Sequence, residues 1–184
     1  MQFDDKIGSI QQILTATNVG VLRRQAILKE LNLQKDQTII DIGCGGGHLV
    51  EEISMGVGSI GKVIGVDPSE FQINTAKERC KHLSNVHFLC SNANNINVEK
   101  NSCDGVTFTQ TLEYIEDVDE ALFAAKRLQK PKSIFVNVST LWDFFGFHGP
   151  EKELNDTMHK IYRSQKHPML PTKLNGKLKK QGYT

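Results

Sequence analysis

Apolar runs and helix-spaced apolar positions alternate along the chain from about Gln37 to Thr140. Five runs, residues 38–42, 63–66, 86–90, 105–109 and 133–138, read as short strands. They are rich in β-branched and apolar side chains and show little strict alternation, the pattern of parallel strands covered on both faces. Between them Ile73, Ala76, Cys80 and Leu83 recur at helical spacing, behind a Ser69–Gln72 capping box. Val118, Leu122, Ala125 and Leu128 repeat that spacing with Asp117 placed as an N-cap. Leu49 and Ile53 mark a short helix, and Leu22, Ala26, Ile27 and Leu31 predict another over residues 19–31. Strand–helix alternation of this kind predicts right-handed βαβ units, and so an α/β fold on a parallel sheet.

Beyond Thr140 the pattern loosens into a long aromatic loop, residues 141–150, and a helix over 151–165. No repeat, low-complexity tract or linker interrupts the 184 residues, which make one domain. Its expected parts are an N-terminal helical lid or cap (1–36), a ligand-binding core (37–140) and an aromatic loop with a basic C-terminal segment (141–184).

A net charge of +1 argues against a protein whose main task is to neutralise nucleic-acid phosphates. The charge is uneven, because eight Lys or Arg residues follow residue 150 against Glu151, Glu153 and Asp156. Such an end can meet RNA, an anionic substrate or a membrane surface. No aromatic stacking motif accompanies it, so a solvated face is the plainer reading. Cys44, Cys80, Cys90 and Cys103 form no CxxC pair and no metal-ligand spacing, so no metal is expected and a reducing, cytosolic compartment is. The opening residues lack a signal-peptide pattern, and no apolar run approaches the roughly 20 residues of a membrane span.

The sharpest local signal is IIDIGCGGGHLV, residues 39–50. A buried strand ends near Asp41, and Gly43, Gly45, Gly46 and Gly47 turn the chain into a helix. Glycine is needed where backbone takes positive φ or lets a ligand approach closely. The dinucleotide fingerprint G-x-G-x-x-G, begun at Gly43, would require glycine where His48 stands. A glycine turn closing an ordinary βα unit is the alternative. About twenty residues further on, VIGVDPS places Asp67 at the end of the next strand, where a carboxylate can accept from both ribose hydroxyls. Asp67 could instead help to cap the helix that starts near Ser69.

DIGCGGG, VIGVDPS, NVHFLCSNA and CDGVTFTQTLEYIEDVDEALFAAKRLQKP, in that order, resemble successive motifs of class I S-adenosylmethionine (SAM)-dependent methyltransferases. The likeness is to the small-molecule branch with ubiquinone- and menaquinone-type enzymes, and it runs from about Thr38 to Val138. The resemblance implies a Rossmann-like doubly wound sheet of order 3-2-1-4-5, SAM as cofactor, and a small organic methyl acceptor. Carried over, Gly43, Gly45 and Gly47 would line the methionine part of SAM, Asp67 would hold the ribose, and Asp41 would belong to the same cofactor-binding set. Asn92 stands where the family offers the adenine an aspartate, and its amide oxygen can still accept from that amine. Gln110 and Leu112 would border the methionine end and the reaction cavity.

Two departures stand out. Lys130-Pro131-Lys132 replaces the family's glycine turn before the fifth strand, which is expected to alter only a surface loop. The family's last two strands, an antiparallel edge, have no counterpart before Thr184, so the fifth strand is expected to be an open edge and a place for a partner or self-association. That departure and Asn92 also leave room for a protein that binds SAM, or a partner, without turnover.

Methyl transfer from a sulfonium asks mainly for alignment and a water-poor cavity, with a base only if the acceptor must lose a proton. Glu113, Tyr114, Asp143, His148 and His167 are candidate bases, and none stands out. Trp142, Phe144, Phe145 and Phe147 either wall an apolar acceptor or form a satellite core. Thr15 to Arg24 is either a lid or a structural helix. Thr109-Gln110-Thr111-Leu112 occupies the place of the NPPY-like tetrapeptide of enzymes that methylate nucleic-acid amines, which favours a small-molecule acceptor.

Overall fold

The computed structural model describes residues 5–144, 146 and 151–184. Two N-terminal helices, α1 (Asp5–Ala16) and α2 (Asn18–Leu31), precede β1 (Thr38–Ile42), α3 (His48–Val57), β2 (Lys62–Asp67), α4 (Glu70–Arg79) and β3 (Val86–Cys90). A loop without regular structure leads to β4 (Cys103–Thr109), followed by α5 (Val118–Leu128), β5 (Gln129–Val138), α6 (Lys152–Arg163) and α7 (Leu170–Lys180). The five strands are all parallel, in the order β3-β2-β1-β4-β5. This is the doubly wound Rossmann-like sheet that the family resemblance implies, on the parallel α/β plan that the residue pattern predicts.

Successive residues of β1 serve opposite cores. Ile39 packs with Ile27, Leu31, Val50, Ile53 and Val63 under α2, α3 and α4. Ile40 and Ile42 pack with Phe108, Leu122 and Leu128 on the α5 side. Both faces of the central strands are therefore dry, which explains their continuous apolar runs. The caps form as read. Ser69 Oγ accepts from the Gln72 N–H at 3.3 Å, and Asp117 Oδ1 accepts from the Glu120 N–H at 2.9 Å.

Three expectations need correction. Lys130-Pro131-Lys132 is not a loop ahead of the strand but the irregular start of β5. The register shifts there, with Cys103 facing Gln129 while Gly105 faces Ile134. Lys132 takes φ +64°, and Lys130 Nζ binds both Asp104 oxygens at 2.7 and 2.8 Å. The C-terminal segment is not merely a basic surface, because Leu170 and Leu174 of α7 are buried in the α5-side core. Lys177, Arg163 and Lys166 of this end pair with Asp119, Asp143 and Glu116. Nor do residues 15–24 form one element: α1 ends at Ala16, and Thr17 caps α2.

Among the described residues β5 pairs only with β4, so its outer edge is open. Tyr183 covers its start, with its ring 4.9 Å from that of Phe135 and its hydroxyl on Gln129 Oε1. No described helix is long and apolar enough to cross a membrane.

Candidate functional site

Strand order reverses between β1 and β4, and α/β sheets of this kind place ligands outside the carboxyl ends of strands at such a point. The turn from β1 into α3 lies there. Gly43, Gly45 and Gly47 take φ of +79°, +51° and +80°, a region in which side chains are strained. A Cβ on Gly43 would lie 2.2 Å from Thr111 Oγ1, so the turn after β4 rests directly on this bend. A Cβ on Gly47 would sit 2.9 Å from Ala76 Cβ, so this glycine lets α4 approach. Gly45 differs. Its missing side chain would meet only Gln72 Oε1, at 3.9 Å, leaving open space against its backbone.

The bend uses up most of its own donors. The N–H groups of Gly43 and Cys44 both donate to the Val66 carbonyl, at 2.7 and 3.0 Å. Gly45 N–H donates to Asp67 Oδ2 at 3.0 Å, and Gly47 N–H to the Cys44 carbonyl at 3.1 Å. Loops that cradle phosphate point successive free N–H groups at the anion. Here four of the six between Gly43 and His48 are spent inside the protein, which suits a nucleoside without phosphates better than a dinucleotide.

Asp67 closes β2 and is buried. Its Oδ1 accepts from the Ser69 N–H at 2.9 Å while Oδ2 takes Gly45. It therefore both shapes the bend and supports the start of α4, and each oxygen keeps a second lone pair for an incoming hydroxyl. Burial raises its pKa, partly offset by those two N–H donors. Asp41 lies one strand away, fully enclosed, and its Oδ1 accepts from Thr107 Oγ1 of β4 at 2.6 Å. Burial pushes this carboxyl up to about 7, the Thr107 hydrogen bond opposing and the nearby Asp67 charge adding. His48 opens α3. Burial and the guanidinium groups of Arg79 and Arg24 push its imidazole down to about 4, and its Nε2 is buried without a partner among the described residues.

After β4 the chain enters the left-handed region at Gln110, φ +53°. Its N–H donates to the Val138 carbonyl at 2.7 Å, and its Oε1 accepts from Thr140 Oγ1 at 2.9 Å. Leu112 is buried in the core beneath. Asn92 is exposed, just past the end of β3 and near Asp67, which pairs with Cys90 in the sheet. The carboxyl ends of β1, β2 and β4 thus gather the glycine bend, Asp67 and Gln110, with Asn92 at the margin.

The sequence reading missed what lies over the bend. Gln12 Nε2 of α1 donates to Gln72 Oε1 at 3.0 Å, and Gln72 Nε2 donates to Gln11 Oε1 at 2.7 Å. Arg79 Nε donates to the Gly46 carbonyl at 2.8 Å. A Cβ on Gly46 would stand 1.9 Å from Gln12 Nε2, so that glycine makes room for α1. Arg24, buried, holds the end of α1 through the Thr15 carbonyl at 2.7 Å and pairs with Glu52 of α3, also at 2.7 Å. The available signal was Gln72, a polar residue on the buried stripe of α4.

Of the candidate bases, Glu113 has no exposed surface, and Ser139 and Thr140 hold its two oxygens. Burial and then the Glu113 charge push the Tyr114 phenol up to about 12. Asp143 is paired with Arg163 at 2.6 Å, and His167 Nε2 donates to the Ile115 carbonyl at 2.9 Å. His148, Phe145 and Phe147 lie outside the described residues. Trp142 stacks on Tyr162 of α6 at 5.0 Å, and Phe144 is exposed. Among the described residues no cluster of His, Cys, Asp and Glu could hold a metal ion.

A glycine bend after β1, an acid closing β2 and the reversal between β1 and β4 define a Rossmann-like domain of the nucleoside-binding class. The chain belongs to the methyltransferase domain family, which it matches over residues 33–181. It is 32% identical over 117 residues to a demethylmenaquinone methyltransferase of Staphylococcus haemolyticus, covering 64% of this chain and 49% of that protein. A crystal structure of a SAM-dependent methyltransferase from Aquifex aeolicus superposes with a TM-score of 0.63 at 29% identity, over 71% of this chain and 70% of that one. Phosphoethanolamine N-methyltransferase 1 of Haemonchus contortus, solved with phosphoethanolamine and S-adenosylhomocysteine, gives a TM-score of 0.53 at 26% identity, over 58% of this chain and 23% of that one. The chain spans about half the length of the curated relatives it matches.

Proposed function

We propose that this chain binds SAM and moves its methyl group to a small organic acceptor. The observation that carries the reading is Asp67, whose carboxylate fixes Gly45 and Ser69 and keeps lone pairs for two ribose hydroxyls at the sheet's switch point. SAM, when bound, supplies an electrophilic methyl on a sulfonium. The remaining work belongs to the chain. Gly43, Gly45 and Gly47 shape the bend against which the methionine part lies, with Asp41 behind it, and Asn92 meets the adenine edge. Gln110 and Leu112 border the cavity, and α1 closes over it and excludes water.

None of the described candidate bases is both free and exposed, which suits an acceptor that is already nucleophilic or loses its proton to solvent. The demethylmenaquinone methyltransferases among the relatives make an apolar quinol the first acceptor to try. Four cysteines without a disulfide suit a reducing compartment such as the cytosol. The open edge of β5 is the place where a second chain could add.

Calorimetric titration with S-adenosylhomocysteine tests the cofactor pocket apart from any acceptor. Saturable one-to-one binding, lost in a folded Asp67→Ala variant, is expected. Equal affinity in that variant would falsify the assignment. Labelled SAM with demethylmenaquinol then tests transfer.

A further inference from the structure

Two helical elements at the carboxyl end of the sheet turn apolar side chains outward. α2 buries one stripe, Gly20, Arg24, Ile27 and Leu31. A surface helix of that kind ordinarily carries polar residues opposite. Here Val19, Leu22 and Ala26 form a second apolar stripe, and it is exposed. Ile13 and Leu14 of α1 continue it across the corner at Thr17, because α1 turns Gln11 and Gln12 onto Gln72 and the next two residues outward. Ile13, Leu14, Val19 and Leu22 are between 60 and 69% exposed. Gly20 keeps the corner tight, since a Cβ there would lie 2.3 Å from the Thr15 carbonyl oxygen. Single apolar residues on a surface are ordinary, but four large ones around one corner mark an interaction surface.

The charge around this corner has one sign. From Ile7 to Lys29 the chain carries Arg23, Arg24 and Lys29 and no acidic residue. Arg24 is paired with Glu52, Arg23 is half-buried, and exposed Lys29 continues the stripe of Val19, Leu22 and Ala26. On the far side of Tyr114, α6 has a similar character. It buries none of its residues, and Leu154, Met158 and Ile161 recur at helical spacing opposite Lys152, Asp156 and Arg163. The Tyr114 phenol feels both Arg23 of α2 and Tyr162 of α6, which places the two surfaces side by side. Protein hot spots favour Trp, Tyr and Arg over Leu and Val, and the exposed corner is aliphatic. Aliphatic side chains beside cations, on helices too short to span, suit the surface of a bilayer. We propose that the α1–α2 corner, with the apolar face of α6 beside it, docks on an anionic lipid surface, with Ile13, Leu14, Val19 and Leu22 entering the boundary between headgroups and acyl chains. Such binding goes beyond the methyl-transfer reading and needs neither cofactor nor acceptor. It sets the mouth of the site against the medium in which an apolar acceptor dissolves.

Flotation with vesicles of phosphatidylcholine and phosphatidylglycerol in equal parts, without SAM or acceptor, tests this. The unaltered chain is expected to rise with these vesicles, and to do so less with phosphatidylcholine alone or in high salt. Leu14→Gln, Val19→Gln and Leu22→Gln together are expected to lower the partition coefficient by about tenfold or more. All three positions are exposed, and an unchanged melting temperature checks that the variant folds. Lys29→Gln, at an exposed site, is the second arm: it should cost about fivefold on the anionic vesicles and nothing on the neutral ones. The proposal is overturned by an unaltered chain that stays in the buffer, by a triple variant that floats as well as the unaltered chain, or by a Lys29→Gln variant that matches it on both kinds of vesicle. Sedimentation velocity without lipid examines the rival occupant. A monomer is expected, and a dimer that the triple variant dissolves would give the patch to a second copy of the chain and overturn the proposal as well.

Discussion

Asp41 offers a direct test of the electrostatics behind this site. Its carboxyl is enclosed in the sheet, with one hydrogen bond from Thr107 and its pKa pushed from 3.8 to about 7. Between those values the folded chain holds a proton that the unfolded chain has released. Stability from this group is therefore fully present below about pH 4 and is lost as pH rises through 7. A rise of about three units at 1.36 kcal/mol each amounts to about 4 kcal/mol, an order-of-magnitude figure.

An Asp41→Asn variant has nothing to titrate at this position, and its amide oxygen can keep the Thr107 hydrogen bond. The stability difference between that variant and the unaltered protein should therefore grow by about 4 kcal/mol from pH 4 to pH 8, in the variant's favour. For a chain of this size that is on the order of 10 °C in melting temperature. The whole-protein curve will not display it cleanly, because His48 titrates in the opposite sense over much of the same range. Urea melts of both proteins at about pH 4.5, 6 and 8 isolate the Asp41 share. Parallel curves, differing by a constant within about 0.5 kcal/mol, would show that the enclosed carboxyl does not titrate as described.

Other substitutions probe the remaining parts. His48, pushed down to about 4, stays neutral in the fold while the unfolded chain protonates near 6.5, so stability falls as pH drops through that window. His48→Asn should flatten the acid limb of the thermal-melt profile, and an unaltered limb counts against it. Gly43→Ala combines φ +79° with a Cβ 2.2 Å from Thr111 Oγ1 and should cost about 2 kcal/mol or more by urea melt. A cost below about 0.5 kcal/mol speaks against the fit of the bend. Gly46→Ala keeps an ordinary backbone but collides with Gln12. Amide exchange should accelerate across α1 and stay unchanged in β1 and β4, whereas uniform exchange rules out α1 as a separable cover. Arg24→Ala removes the Thr15 and Glu52 contacts and should cost about 1–3 kcal/mol, with the same exchange signature in α1.

The sheet was legible because its strands are dry on both faces, so runs such as Thr38–Ile42 stand out without alternation. The caps at Ser69 and Asp117 are local chemistry, and they read correctly for that reason. Tertiary contacts were harder. Lys130-Pro131-Lys132 looks like loop, but the Lys130–Asp104 pair and the bulge draw it into β5. The stripe of Leu170, Leu174 and Leu178 in α7 was hidden by the lysines around it. At the candidate site, Gly43, Gly45, Gly47 and Asp67 could be singled out because each follows a strand in a short local pattern. The Gln11–Gln12–Gln72 contacts span about sixty residues, and nothing in either segment alone announces the other. The burial of Glu113 was equally invisible, since its partners lie after β5.

A loop whose backbone donors already have partners has little left to rearrange when a molecule arrives. Any ordering on occupancy, and the entropy it costs, would then fall on α1, which Gln11, Gln12 and Arg24 hold by amide and guanidinium contacts, whereas α2 is anchored in the core by Ile27 and Leu31. Shape at the bend is thereby separated in the chain from cover above it, the first resting on backbone bonds and the second on a few long side chains.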